Sequence, residues 1–322
     1  MNYFLIRLTF DTAVHFGPSD TAQSLSVSED HLYADTVFSA LCHTALVLDG
    51  EKGVTQLCDW VREGQLLLSD TMPWRGEDCF LPKPFVLSQS KRELPTTHQK
   101  AMKKLTWIPV RSFAAFSDSV HGGVPFDPSA QGGAFGFAVE QMRAVVSEGA
   151  DAVPYRVGLY QFEEDCGLYL IAATAEEEQG EILRHLFHAL GMSGIGGKVS
   201  SGCGRFHLED VVLLNAFYDD QTRWFYTALT ARTERSLLLS ASFPREEELE
   251  PALEDAAYQV IRRGGFSASN GGKNPLKKKT QYFFRAGSMF SHRFKGDLYP
   301  VGRVDDHPVY RYGKPLFLGV NV

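Results

Sequence analysis

The 322-residue chain is 44% hydrophobic and 22% charged, the make-up of a folded globular protein with room for one large or two ordinary domains. Its five cysteines include no C-x-x-C pair, which argues against a disulfide framework or a zinc site, and no apolar run reaches bilayer-crossing length. The net charge of −7 is unevenly spread: Asn270 to Val322 holds ten Lys/Arg against three Asp/Glu, a local +7 that leaves −14 on the rest. Charge divided in this way suggests a basic groove on an acidic body.

Phe4, Ile6, Leu8 and Phe10 alternate with Tyr3, Arg7 and Thr9, which is strand periodicity and not a signal peptide; a cytoplasmic protein without a membrane segment is expected. After a loop through Gly17 and Pro18, Asp35-Thr36 opens a helix to about Leu48. Its stripe is Ala34, Phe38, Leu41, Ala45 and Leu48, and Gly50 is its stop. Residues 51 to about 150 read as a long irregular insertion, punctuated by Pro73, Pro82, Pro84, Pro95, Pro109, Pro125 and Pro128. Within it Lys83 to Arg111 carries seven Lys/Arg against Glu93 alone. Lys103, Lys104 and Trp107, with Phe113 and Phe116 close behind, have the composition of a single-strand nucleic-acid track. The competing reading is that the rings anchor the insertion to the core.

Regular pattern resumes with a hairpin, Tyr155 to Phe162 and Leu168 to Ala173, across a Glu163 to Gly167 turn. A helix from about Glu177 to Leu190 buries Ile182, Leu183, Leu186, Phe187 and Leu190 and is capped by Gly191. Then comes Gly191 to Phe206, with six glycines (Gly191, Gly194, Gly196, Gly197, Gly202, Gly204), and a strand from Arg205 to Leu214. Such a loop can turn successive N–H groups into an anion-holding nest, with Lys198, Arg205, Ser200 and Ser201 as further donors. It is not a P-loop: Met192 stands where the first glycine belongs and Val199 replaces the Ser or Thr. A plain surface connector is the alternative. The order strand, helix, insertion, strand, strand, helix, strand is that of a ferredoxin-like (RRM-like) α+β domain over residues 1–214.

A second, degenerate ferredoxin-like domain is expected over 215–322. Trp224 to Ala231 and Ser236 to Phe243 read as a hairpin, Pro244 to about Arg262 as a helix ending at Gly264-Gly265. Ser267 to Lys279 reads as a disordered Gly/Asn/Lys segment, and strands follow near Gln281 to Phe284, Val309 to Tyr312 and Leu316 to Val320. Phe290, Leu298, Tyr299 and Leu316 are expected to form an exposed apolar interface.

Two such halves with a glycine-rich loop after a helix resemble the RAMP superfamily of CRISPR-associated RNA-binding proteins. The resemblance sharpens at His31-Leu-Tyr-Ala-Asp35-Thr-Val-Phe-Ser-Ala40, at the glycine loop, at Arg262-Arg263-Gly264-Gly265, at Gly287-Ser288-Met289-Phe290 and at the ending His307 to Gly319. Together these are similar to the family of subunit four of the type III-A (Csm) effector complex. The resemblance implies a non-catalytic subunit without cofactor. Such a subunit holds the 5′ tag of the guide crRNA and docks the large palm-domain subunit and the adjacent backbone RAMP subunit. The RNA-binding candidates are then Gly194, Gly196, Gly197, Lys198, Ser200, Ser201, Arg205, Lys103, Lys104, Trp107, Arg262, Arg263, Lys277, Lys278 and Lys279.

Two other classes compete. A RAMP endoribonuclease processing CRISPR precursor RNA would need a base from among His15, His31, His43 and His98, with Lys277 to Lys279 to stabilise charge. A small-molecule phosphate enzyme on the same scaffold would leave the basic segments without a use. His185 and His188, three apart on a helix, lack a third metal ligand in the local pattern and read as structural.

Overall fold

Every residue of the segment Cys166–Thr174 is buried, a burden only a strand covered on both faces can carry. The computed structural model describes residues 1–18, 25–86, 94–145, 151–267, 276–304 and 307–321. In chain order the first half runs β1 (Asn2–Phe10), α1 (Ala34–Arg62), β2 (Leu66–Leu68), β3 (Met72–Arg75), β4 (Asp78–Pro82), α2 (Thr96–Lys104) and β5 (Trp107–Pro109). It continues with α3 (Phe113–Val120), β6 (Gly136–Val145), β7 (Val153–Phe162), β8 (Cys166–Thr174), α4 (Glu177–Ser193) and β9 (Phe206–Leu213). Then come α5 (Asp220–Thr230), β10 (Arg235–Leu238), α6 (Glu246–Leu253), β11 (Val260–Arg263) and β12 (Gln281–Phe284). The chain closes with β13 (Met289–Phe290), β14 (Leu298–Val304), β15 (His307–Tyr312) and β16 (Phe317–Val320). The fold is mixed α+β with antiparallel sheets.

The main sheet has the order β5-β4-β3-β8-β1-β9. Strands β2 and β3 share one edge of β8, pairing Leu66↔Thr174 and Met72↔Tyr169. Strand β1 lies between β8 and β9, with a bulge at Arg7/Leu8. Alternation then divides β8. Leu168, Leu170 and Ala172 join the cluster that holds Phe38 and Leu41 of α1 and Leu183 and Phe187 of α4. Tyr169, Ile171 and Ala173 join one containing Phe113 and Phe116 of α3, Phe225 of α5, Leu237 of β10 and Leu318 of β16. Hydrophobic clusters therefore draw on both sides of residue 214. Among the described residues no helix is long and apolar enough to cross a membrane.

Several expectations are corrected. Residues 51–150 are largely regular. The helix opening at Ala34 breaks at Gly50 (φ +67°) but resumes to Arg62, burying Leu57, Cys58 and Val61, and β2 to β4 supply the sheet edge next to β8. The expected hairpin is absent: β7 pairs over its whole length with β6, while β8 enters the main sheet. Gly191 lies inside α4, and Gly194 (φ +92°) caps it. The expected strand at Trp224 is helix α5, because the Asp219 carboxylate accepts from Thr222 N at 2.6 Å and the Thr222 hydroxyl accepts from Asp219 N at 3.0 Å. This capping box outweighs the β preference of three adjacent aromatics. The expected helix to Arg262 stops at Leu253, two residues past Pro251, and Val260–Arg263 pairs instead with Gln281–Phe284. Phe290, Leu298 and Leu316 are core residues at 0, 6 and 3% exposure, and Tyr299 is half-buried with its hydroxyl on Phe243 O; they form no exposed interface.

Asp219→Ala removes the cap of α5 and should lower stability by about 1 kcal/mol. The check is a lower urea midpoint with unchanged slope; an unchanged midpoint would mean the helix is held by Phe225 packing alone.

Candidate nucleic-acid interface

Three of the motifs picked out in the sequence meet at one carboxylate. Asp35, in the first turn of α1, receives Arg263 of β11 through Nη2 to Oδ1 at 2.6 Å and Nε to Oδ2 at 3.1 Å, while Arg311 Nε of β15 lies 3.5 Å from Oδ2. The side chains are 3 to 8% exposed. Arg311 also donates to the carbonyls of Arg263, Gly264 and Lys279, and the Tyr33 ring covers the Arg263 guanidinium at 4.2 Å. Burial alone would push the Asp35 carboxyl up, but the charge and hydrogen bonds of Arg263, then Arg311, hold it below the usual carboxylate range. Arg263, expected to contact RNA, is thus committed to joining the two halves of the chain.

Beside this junction lies a cleft of about 500 Å³, walled by Ile195 to Gly197 with His15 and Phe16 on one side and by Arg263 to Phe266 and Lys278 on the other. The glycine loop seats on the segment after β1. Gly197 N donates to His15 O at 2.8 Å, Gly204 N to Ala13 O at 3.0 Å, Arg205 N to the Thr12 hydroxyl at 3.0 Å and Ile195 N to Gly204 O at 2.9 Å. Gly196 has φ +97°, and a Cβ there would fall 2.8 Å from His15 O; one at Gly204 (φ +76°) would overlap Ile195 O. Glycine is required mainly so that the loop can fit this seat. Gly194 N and Gly197 N, expected to face a phosphate, are used internally, and among the described residues the amides outside the network are those of Gly196, Lys198, Val199 and Ser200.

The remaining candidates divide into groups. Gly196, Gly197, Arg263 and Lys278 share the cleft. Ser200, Ser201 and Arg205 are exposed on the outer turn of the loop, and Lys198, in left-handed conformation at φ +62°, holds its ammonium 5.4 Å from the Tyr155 ring. Arg262, Lys277 and Lys279 are exposed neighbours of the cleft residues, and burial lowers the Lys278 ammonium from its usual value despite Asp35. Lys91, Arg92 and Lys273 lie outside the described residues, as does most of the segment read as disordered. Its ends pair, with Ser267 N on Leu276 O at 2.8 Å.

Lys103 and Trp107 line a second cavity of about 300 Å³, with Lys83, Arg285, Phe85 and Asp70; Lys104 is exposed outside it. His31 and Tyr33 belong to both cavities and separate them. His31 is held edge-on to Trp107 with ring centres 5.4 Å apart, and its Nδ1 lies 2.8 Å from Asp30. Burial opposes its protonation, but Asp30 wins and raises its pKa. His15 donates Nδ1–H to Gly158 O at 2.7 Å. Among the described residues no group of three His, Cys, Asp or Glu is placed to hold a metal. Sequence reasoning missed Asp70, Lys83, Arg285 and the role of Arg311. Lys83 lies in the basic segment already marked, whereas Asp70, between a Ser and a Thr, gives no sequence signal.

An antiparallel sheet backed by two helices, with a glycine-rich loop closing a cleft between two interlocked halves, defines a mixed α+β protein. The family model of the CRISPR Csm4 C-terminal domain matches residues 231–320. The CRISPR system Cms protein Csm4 of Mycobacterium tuberculosis (strain CDC 1551 / Oshkosh) is 35% identical over 324 residues, covering 99% of this chain and 98% of that protein. Among solved structures, a Csm1-Csm4 cassette in complex with pppApA matches at TM-score 0.63 and 18% identity, over 99% of this chain and 98% of that chain. A Csm3-Csm4 subcomplex of the type III-A CRISPR-Cas interference complex matches at TM-score 0.60 and 14% identity, over the whole of both chains. The chain belongs to the Csm4 family.

Two stability measurements test the junction. Asp35→Ala strands two buried guanidinium groups and should cost about 3–5 kcal/mol in urea unfolding; a loss below about 1 kcal/mol would show that they reach solvent instead. Asp70, 2% exposed, has the opposite sign. Its Oδ1 accepts from Ala34 N at 2.7 Å and Ala241 N at 2.9 Å, yet burial pushes the carboxyl up to about 6. A raised carboxyl favours the fold in acid and loses that contribution as pH rises through about 4 to 6. Asp70→Asn should therefore gain on wild type across that window, by about 2–3 kcal/mol at pH 7. Parallel pH profiles for the two proteins would refute it.

Proposed function

We propose that this chain is a non-catalytic, RNA-binding structural subunit of a type III-A CRISPR effector complex in the cytoplasm. It holds the 5′ tag of the guide RNA and docks the large palm-domain subunit and the first backbone subunit. The observation that carries the reading is the convergence, at one cleft, of the glycine loop, the N-terminal turn of α1 and Lys278, flanked by exposed Lys277, Lys279 and Arg262. Amides at Gly196, Lys198, Val199 and Ser200 that have no partner among the described residues, on a loop anchored by its other amides, suit a phosphate backbone. The partner assignment rests on relatives whose structures are assemblies with Csm1 and with Csm3. In this reading residues 1–214 form a ferredoxin-like unit whose four core strands lie in the order β9-β1-β8-β2, and 215–322 form a degenerate second one. Asp35 is neutralised by two arginines, and the His15 and His31 rings are each held by a protein partner, which favours binding over cleavage.

Lys198→Ala and Arg205→Ala should each flatten the salt dependence of tag-RNA binding, by roughly 0.7 in log–log slope for each phosphate that the missing cation had neutralised. Gly204→Ala should weaken binding through the loop's seat while keeping the wild-type slope, since no charge is removed. Titration of tag RNA from low to moderate salt separates the two kinds of variant. If the charge variants keep the slope and the glycine variant keeps the affinity, the loop does not hold RNA. A discrete cut in precursor RNA that disappears in His31→Ala would replace this reading with an endoribonuclease.

A further inference from the structure

The second cavity carries an anomaly that stability does not explain. Both hydrogen bonds that Asp70 contributes to the fold go to Oδ1, which ties the first amide of α1 to Ala241. Its other oxygen is buried with no partner among the described residues. An amide side chain would make the same two bonds without a buried charge, so the carboxylate is retained at a cost. On the same cavity the Trp107 indole N–H is also buried, near the Asp30 carboxylate but outside hydrogen-bond geometry. Among the described residues, an unpaired acceptor and a donor that leans on Asp30 without a full hydrogen bond thus share a space bordered by the flat rings of Tyr33, Phe85 and Trp107. Lys103 and Arg285 supply positive charge there, while Lys83 is engaged with Met102 O at 2.6 Å.

We propose that this cavity is a nucleotide pocket, which takes one base of the bound RNA and uses Asp70 to prefer a base bearing an exocyclic amine over uracil. At about 300 Å³ it has room for one base and its sugar, at the small end of ligand sites. A free carboxylate oxygen accepts from the amine of adenine, cytosine or guanine. Uracil presents its N–H between two carbonyl oxygens, whose lone pairs the carboxylate repels. The indole N–H would donate to a ring nitrogen or carbonyl on the same edge, the aromatic rings would stack, and Lys103 and Arg285 would meet the flanking phosphates. The shared His31–Tyr33 wall puts the pocket directly beside the cleft, so a strand lying in the cleft can turn one nucleotide into it.

The inference rests on the RNA-binding reading, and the test keeps the two apart. Effector complex carrying this chain is titrated with tag RNAs in which one position at a time is adenine or uracil. Wild type should show one position where uracil weakens binding by about tenfold, the scale of one base-edge recognition. In Asp70→Asn that penalty should fall to within about twofold, with affinity for the uracil RNA unchanged or improved. Trp107→Phe, which keeps the ring and removes the N–H, should shrink the penalty at the same position and guards against a misfolded Asp70 variant. Lys103→Ala should weaken all RNAs equally and leave the penalty intact. Absence of any RNA binding would overturn the functional reading itself. RNA binding with no position whose uracil penalty depends on Asp70 or Trp107 would overturn the pocket alone.

Discussion

A buried carboxylate shared by two guanidinium groups sets the geometry of this molecule. Asp35 comes from the helix that backs the main sheet, Arg263 and Arg311 from strands more than two hundred residues later, and none of the three has much access to solvent. In a medium that screens poorly such charges tolerate little displacement, because each would be left costly and unpaired. The arrangement therefore specifies more than it stabilises. It fixes the start of α1 against the end of β11, and through the carbonyl bonds of Arg311 it fixes the Gly264-Gly265 turn. The wall of the cleft formed by Arg263 and the turn after it inherits its position from this junction.

The glycine loop shows how a binding surface can be made rigid without a large side-chain core of its own. Its amides on the inner side close onto Thr12, Ala13 and His15, and Gly196 and Gly204 allow an approach that a Cβ would obstruct. What remains outward is a short turn with unused donors and two cations. Preorganising donors in this way avoids spending binding energy on ordering the loop when a ligand arrives.

Much of this is legible in the sequence. The alternation of β1, the stripe of α4, that of α1 as far as Ala45 (Leu48, expected to continue it, is exposed), the strand after the glycine loop and the three motifs around Asp35 appear where expected. The errors have physical causes. Leu57, Cys58 and Val61 mark a helix beyond Gly50, but a glycine stop and many prolines obscure both that helix and the strands after it. Trp224 to Tyr226 reads as strand because aromatic content speaks louder than the Asp219–Thr222 cap. Tyr155 to Ala173 reads as a hairpin because a turn joins the two strands, and only tertiary pairing sends them into different sheets. The site is readable as segments and not as an arrangement. Nothing local tells that Arg263 is used up by Asp35, that Gly197 N is bonded within the fold, or that Asp70 leaves one oxygen unpaired.

The central place of β1 has a consequence for how the chain is made. This strand precedes both of its partners by a long stretch of chain: they are Leu168 to Thr174 on one side and Phe206 to Leu213 on the other. The cover of one face of the sheet draws on Phe225, Leu237, Leu316, Leu318 and Val320, all of them later in the chain than the sheet's own strands. An apolar strand with both edges open must therefore wait for partners far downstream, and the separation of its contacts makes the final pairing slow. Over that interval the nascent chain exposes two strand edges and half a core, the features that make folding intermediates aggregate. A truncated chain ending near residue 214 would hold the complete sheet and still lack the cover for one of its faces.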